Sequence, residues 1–80
     1  MNRNERSTLL KLRKHMVDNF DQGDWASVGM LTGCTDEINR HPRLLRSLSF
    51  GDPDYTACVA EILHRIVETS PENLQILKIW

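Results

Sequence analysis

RSLSFGDPDY, residues 46–55, decides how this chain folds, because it places an apolar helical run, a turn and the start of a further helix in one short stretch. Phe50 ends the apolar run, and Gly51 permits a turn because glycine adopts a left-handed backbone at low cost. Asp52 is expected to cap the next helix, and Pro53 to occupy its first position. The stretch therefore predicts a tight corner between two helices.

The same signals divide the preceding residues into four helices. Apolar residues at helical spacing predict a first helix over residues 5–20. Asp24 is expected to cap a second helix, which Gly33 closes in the left-handed conformation. Thr35 is expected to cap a short third helix. The residue before a proline is driven out of helical geometry, so this helix should end before Pro42. Pro42 itself suits the first position of the fourth helix.

A sixth helix is expected after Ser70 and Pro71, where a cap and a first-turn proline recur. No stretch alternates β-branched and polar residues as a strand would, so the fold class is predicted to be all-α, a six-helix antiparallel bundle. The residues expected to face the core are Leu9, Leu10, Leu12, Met16, Val17, Phe20, Trp25, Val28, Leu31, Leu44, Leu45, Leu48, Tyr55, Val59, Ile62, Leu63, Ile66, Leu74, Leu77 and Trp80.

Length and composition predict one small globular domain. A chain of 80 residues with 40% apolar and 26% charged residues is ordinary for such a domain, which we assign to residues 1–80. No apolar run reaches the roughly 18 residues of a membrane span, and MNRNERSTLL lacks the apolar stretch of a signal peptide, so a cytoplasmic protein is expected. The apolar ending ILKIW suggests that the domain is the N-terminal part of a longer protein.

The residues that most often carry chemistry form no catalytic pattern. His15, His41 and His64 are not spaced three or four residues apart, so no helical metal pair is encoded. Cys34 and Cys58 are expected to be buried free thiols, and neither has the orienting partners of a nucleophilic cysteine. The sequence therefore predicts a protein that is not an enzyme and that needs no cofactor or metal.

Charge is distributed in blocks of alternating sign, although the net charge is only −1. Basic residues dominate residues 1–20 and 38–50, whereas acidic residues dominate 21–37 and 51–80. Such blocks either form complementary patches that steer association or belong to an ordinary solvated surface. The near-zero net charge argues against nucleic acid or an acidic membrane as the partner.

The arginines near the chain centre leave one alternative open. Arg40, Arg43 and Arg46 could form the contact face of a small helical DNA-binding or regulatory domain. The net charge and the lack of a basic recognition helix with polar residues for base edges weigh against it. Protein–protein interaction is therefore the preferred prediction, with no nucleic acid and no membrane expected.

A family resemblance sharpens that prediction. Six short helices, no catalytic pattern and opposed charge blocks resemble the death-fold superfamily, which includes caspase-recruitment domains (CARDs). The run EINRHPRLLRSLSFGDPDYTACVAEILHRIV, residues 37–67, is similar to small helical domains attached to bacterial defence proteins, called effector-associated or bacterial CARD-like domains. The resemblance implies an adaptor that binds like domains, on other proteins or on copies of itself, and brings effectors such as proteases together in anti-phage defence.

The resemblance also implies which residues form the contacts, because family contacts often pair a basic face on the first and fourth helices with an acidic face on the second and third. The implied basic face consists of Arg13, Lys14, Arg43 and Arg46. The implied acidic face consists of Asp21, Asp24, Asp36 and Glu37. Arg40 departs from this pattern, since it lies near the end of the acidic third helix. Contact between such unlike faces joins molecules head to tail, and salt is expected to weaken it.

Overall fold

A computed structural model describes residues 2–80 and contains six α-helices. They are α1 (Arg3–Asn19), α2 (Gln22–Thr32), α3 (Thr35–Arg40), α4 (Leu44–Phe50), α5 (Tyr55–Thr69) and α6 (Asn73–Leu77). No strand occurs among the residues it describes. The predicted all-α class and the six-helix count are confirmed, whereas the specific death-fold topology stays a prediction.

The central element of the fold is α5, since α1, α3, α4 and α6 all pack against it. Its apolar residues recur at helical spacing and so form one broad inward face. That face buries Tyr55, Cys58, Val59, Ile62, Leu63, Ile66 and Val67. Because α1 and α4 both flank α5, the outward side of α5 is left open between them.

The start of α2 is fixed by two aspartates that satisfy each other's backbone. Asp21 Oδ1 accepts from the Asp24 N–H at 2.9 Å, and Asp24 Oδ2 accepts from the Asp21 N–H at 3.0 Å. This reciprocal pair is a capping box with Asp21 as the cap. The prediction that Asp24 caps α2 was wrong, because Asp24 is its third helical residue. Gly33 ends α2 with φ 72°, as predicted.

The start of α3 also differs from the prediction. Thr35 is the first residue of the helix rather than its cap, which is Cys34, and Cys34 makes no side-chain capping hydrogen bond. Close packing explains the arrangement, since a Cβ atom added to Gly29 would lie 3.0 Å from the Thr35 Cα atom. α3 therefore turns back directly onto α2, at a position where only glycine leaves enough space.

Three prolines lie in turns just before the helices that they were predicted to begin. The prolines are Pro42, Pro53 and Pro71, and the helices begin at Leu44, Tyr55 and Asn73. At the central corner, Asp52 Oδ1 accepts from the Asp54 N–H at 2.9 Å, and the Asp52 carbonyl accepts from the Tyr55 N–H at 3.0 Å. The prediction that Asp52 caps the fifth helix was wrong, because the cap residue of α5 is Asp54, which makes no side-chain capping hydrogen bond. Asp52 instead stabilises the turn that precedes the helix.

Most of the predicted core is buried, including both cysteines, which are free thiols as expected. Two predicted core residues are wrong, because Leu10 is 56% exposed and Leu31 is 52% exposed. Leu31 lies six residues after the fully buried Trp25, or about 120° around the helix at 3.6 residues per turn, and so falls outside the buried stripe. Leu10 lies beside an open groove that is described below.

Candidate interaction surface

Two grooves flank the outward side of α5. The first, here called the α4 groove, lies between α5 and the segment that joins α3 to α4. The second, the α1 groove, lies between α5 and α1. Ala60 and His64 line both grooves, so the two form one continuous surface across α1, α5 and the start of α4.

The α4 groove is built around His41, whose side chain is only 11% exposed. Its Nδ1 accepts from the backbone N–H of Arg43 at 3.2 Å and of Leu44 at 3.1 Å. Since no side chain from the cap residue Arg43 satisfies the first turn of α4, the imidazole takes over that function. The accepting Nδ1 carries no hydrogen, which assigns the hydrogen to Nε2, 2.9 Å from Glu61 Oε2. His41 thus fastens the start of α4 to α5.

Arg43 is also paired within the chain. Its guanidinium forms an ion pair and hydrogen bond with the Asp54 carboxylate, across the corner between α4 and α5. Both side chains are about half exposed, so the pair contributes little to stability, but it neutralises Arg43 locally. One turn further along α4, Arg46 is exposed and lines a shallow surface beside Phe50, which is 77% exposed.

The α1 groove has a different chemistry. Its floor is apolar, and its rim carries Arg6, Arg13 and His64. None of the described residues that line it carries a carboxylate. Within the part of the chain that the structure describes, neither of the two arginines forms an ion pair.

The four residues of the predicted basic face are therefore separated. Arg13 lines the α1 groove, Arg43 lines the α4 groove, and Arg46 lies on the adjoining face of α4. Lys14 lies outside both grooves, and its Nζ is 3.6 Å from Asp18 Oδ2 one turn along α1. A part for these residues in partner binding stays a prediction.

The four residues of the predicted acidic face lie in two separate pairs. Asp21 and Asp24 form the capping box of α2, and Asp36 and Glu37 lie in the first turn of α3. α3 begins beside Gly29, which lies about two turns after Asp21, or roughly 11 Å along α2. All four carboxylates lie where the helix dipole favours negative charge, so each pair supports its own helix start.

A buried hydrogen bond joins α2 to the first turn of α5. Trp25 Nε1 donates to the Tyr55 hydroxyl at 2.8 Å, and both residues belong to the core. Burial raises the pKa of Tyr55 above its ordinary value of 10.0; the hydrogen bond from Trp25 opposes this shift, and the nearby Asp24 carboxylate adds to it. The neutral phenol is therefore the form that the folded chain favours.

Among residues 2–80, no group of three or more histidine, cysteine, aspartate or glutamate side chains is arranged to hold a metal ion. None of the helices described is long and apolar enough to cross a membrane.

Sequence reasoning missed the most organised of these features. From the sequence, His41 was assigned no role beyond excluding a metal pair, yet it accepts from the first backbone N–H groups of α4 and bonds to α5. The signal available in the sequence was a polar side chain just before a helix that otherwise lacks a side-chain cap. The α1 groove was missed as well, because spacing along α1 does not reveal which helix lies beside it.

Comparison with known proteins gives one family. The sequence profile of AbiJ N-terminal domain 5 matches residues 1–79. No curated protein and no solved structure matches the chain. The matched domain is found at the N-terminus of an abortive-infection protein, which supports the anti-phage context that the resemblance implied. The chain therefore belongs to the AbiJ N-terminal domain 5 family of abortive-infection, phage-defence proteins.

Proposed function

We propose that this domain is a non-enzymatic adaptor in anti-phage defence, which binds like domains on other proteins or on copies of itself and so brings effectors such as proteases together. The observation that carries the proposal is the continuous surface across α1, α5 and α4, on which Arg13 and Arg46 have no ion-pair partner among the described residues. Arg46 is exposed and Arg13 is partly exposed, and unpaired surface charges of this kind accelerate association and orient the partner.

A like domain offers the complementary charge. Asp36 is exposed in the first turn of α3, and the structure gives it no ion pair within the chain it describes. Contact between Arg46 of one copy and Asp36 of the next would join unlike surfaces, and a contact of that type continues into rings or filaments. A CARD-like death-fold topology, in keeping with the six-helix count and size, is part of this proposal.

The arginine-face alternative has less support. Arg43, the middle of its three arginines, is already paired with Asp54 and is not free for a phosphate. A DNA titration nevertheless belongs in the test, since both functions depend on charge and both weaken with salt.

The test is light scattering of the purified chain over a range of concentrations at low and high salt, with a parallel titration of duplex DNA. We expect growth in mass with concentration at low salt, its loss at high salt, and no DNA binding. Arg46→Glu and Asp36→Lys should each abolish the growth, and mixing the two variants should restore association through the swapped pair. Lys11→Glu is the matched control, because Lys11 is exposed on α1 outside both grooves.

A chain that stays monomeric under all these conditions would contradict self-association and confine the proposal to recruitment by a like domain on another protein. Tight DNA binding that Arg46→Glu removes would contradict the adaptor proposal.

A further inference from the structure

The floor of the α1 groove is an apolar channel between two helices. Leu9 and Leu10 supply it from α1, and Ala60 and Leu63 supply it from α5. Leu10 is 56% exposed, so its side chain is the part of this floor most in contact with water, while Leu63 is buried. A single exposed leucine is unremarkable, but one that continues an apolar channel is a typical docking feature.

The charges on the rim have a spacing that a helix can match. Arg6 and Arg13 are one heptad apart on α1, which corresponds to about 10 Å along the helix axis and to the same face. His64 lies on the opposite side of the channel, and no carboxylate lines it. The groove thus combines an apolar floor with two arginines, Arg6 and Arg13, that have no ion-pair partner among the described residues, whereas His64 is bonded to Glu68.

We propose that the α1 groove binds an acidic amphipathic helix of a partner protein. The apolar stripe of that helix, at positions i, i+3 or i+4, and i+7, would lie on the floor. Carboxylates one heptad apart on its flank would pair with Arg6 and Arg13, whose planar guanidinium groups suit carboxylate recognition. The occupant follows from charge complementarity, since the rim is basic and the lining contains no acid.

This inference rests on the proposed function in one respect, namely that the domain is an interaction module, but it adds a partner that is not a like domain. The outward strip of α5 in a second copy is a poor occupant. Its own pair of acids one heptad apart, Glu61 and Glu68, is already bonded to His41 and His64, and Arg65 lies between them. Duplex DNA would satisfy the arginines but would leave the apolar floor uncovered.

The test uses a synthetic, fluorescently labelled peptide of about four helical turns, with leucines at the stripe positions and glutamates one heptad apart on the flank. Anisotropy titration against the chain should give saturable binding. Arg13→Glu and Leu10→Gln should each weaken it at least about tenfold, as expected for loss of a central interface contact. Glutamine has a helix propensity close to that of leucine, so Leu10→Gln changes the floor and not the helix.

Matched controls separate this docking from general attraction between opposite charges. Lys11→Glu makes the same charge change as Arg13→Glu on the same helix, but outside the groove, and should leave affinity within about twofold because only distant screened charge is altered. A peptide with serines in the stripe but all its glutamates should not bind, nor should one with lysines replacing the glutamates. Circular dichroism confirms that each variant is folded.

The proposal is overturned if the chain does not bind the peptide, if Lys11→Glu and Arg13→Glu weaken binding equally, or if the serine peptide binds as tightly as the leucine peptide. It is also overturned if duplex DNA or a second copy of the chain displaces the peptide from an Arg13-dependent site. Self-association is measured separately by light scattering. Peptide binding by a monomeric chain supports this inference while removing the self-association part of the proposed function, and self-association without peptide binding does the reverse.

Discussion

The α4 groove and the α1 groove adjoin along the outward side of α5, one toward α4 and the other toward α1. They differ in whether their charged side chains have partners within the chain. In the α4 groove, His41 is hydrogen-bonded to Glu61, and the cation Arg43 is paired with Asp54, so each of these side chains finds its partner within the chain. In the α1 groove, Arg6 and Arg13 flank an apolar floor and have no such partner among the described residues. The polar side chains of the first groove are engaged within the chain, whereas the two arginines of the second are not engaged by the described residues.

The difference shows that the number of charges in a groove says little about its function. An ion pair within the chain forms without the loss of translational and rotational freedom that binding a second molecule entails. Where the fold already contains the counter-ion, a partner gains little from the same charge. Substitutions in the α4 groove should therefore change stability more than binding, and substitutions in the α1 groove the reverse.

Among substitutions of the polar side chains that line the two grooves, the largest effect on stability is expected from His41→Ala. The substitution leaves two backbone N–H groups of α4 without an acceptor and removes the bond to Glu61, so the free energy of unfolding should fall by about 2 kcal/mol. Urea unfolding followed by tryptophan fluorescence measures it. His64→Ala is the matched control, because His64 also bonds a glutamate, Glu68, at 2.8 Å but caps no helix and is exposed. Equal losses of stability in the two variants would show that capping of α4 by His41 contributes nothing beyond an ordinary histidine–glutamate contact.

The next effect is expected from Tyr55→Phe, which tests the buried hydrogen bond at the first residue of α5. Without the hydroxyl, the Trp25 Nε1–H is buried with no acceptor, which should lower the free energy of unfolding by about 1–3 kcal/mol at neutral pH. Thermal and urea unfolding both report it. An unchanged stability would mean that water reaches the indole in place of the hydroxyl.

The pH dependence of stability tests the same hydrogen bond. The folded pKa of Tyr55 lies above the unfolded value of 10.0, so the unfolded state loses the phenolic proton first. The stability that the neutral phenol provides is therefore complete below about pH 10 and is lost as the pH rises through the folded pKa. The chain has one tyrosine, so the ultraviolet absorbance of tyrosinate follows Tyr55 alone. Tyr55→Phe should flatten this alkaline loss, and an equal slope in both proteins would show that Tyr55 does not cause it.

A smaller effect on stability, but an instructive one on binding, is expected from Asp54→Asn. Removing the partner of a half-exposed arginine should change the free energy of unfolding by at most about 1 kcal/mol. It should also turn the α4 groove into a second basic groove and raise its affinity for acidic peptides. Asp18→Asn makes the same charge change at the exposed pair with Lys14 and should not raise peptide binding. A rise of equal size in both variants would trace the effect to net charge.

The smallest change in stability is expected from Leu10→Ala. Because the side chain is more than half exposed, truncation should alter the free energy of unfolding by less than about 0.5 kcal/mol. The buried Leu12 on the same helix provides the contrast, and Leu12→Ala should cost about 2–5 kcal/mol. A large loss in Leu10→Ala would mean that the α1 groove belongs to the core and is not open.

Much of the fold followed from local signals. Gly33 and Gly51 both adopt the left-handed conformation expected at a helix end, and the inward face of α5 was read correctly from its spacing. Helix starts were less predictable, because Asp21 and Asp24 are equally good caps by residue type. Only the reciprocal hydrogen bonds of the folded backbone assign the cap to Asp21.

The candidate surface was harder to predict from the sequence, because it depends on contacts between residues that are far apart along the chain. Arg13 and Arg43 were predicted to act alike, yet Arg43 is paired with Asp54, whereas Arg13 has no carboxylate partner among residues 2–80. Leu10 was assigned to the core because periodicity gives the direction of an apolar stripe but not the width of the partner that covers it. Which helices pack together decides which side chains become neighbours, and composition and spacing do not reveal that.

The packing of α1 on α5 also has a consequence for synthesis. The ribosome makes residues 3–19 first and completes residues 55–69 roughly 2.5–10 s later at typical rates of 5–20 residues per second. Until then, α1 exposes the leucines that it later turns toward α5, and the channel between the two helices does not exist. A groove formed by α1 and α5 exists only after both helices have been made, so a nascent chain that lacks α5 does not present the proposed docking surface.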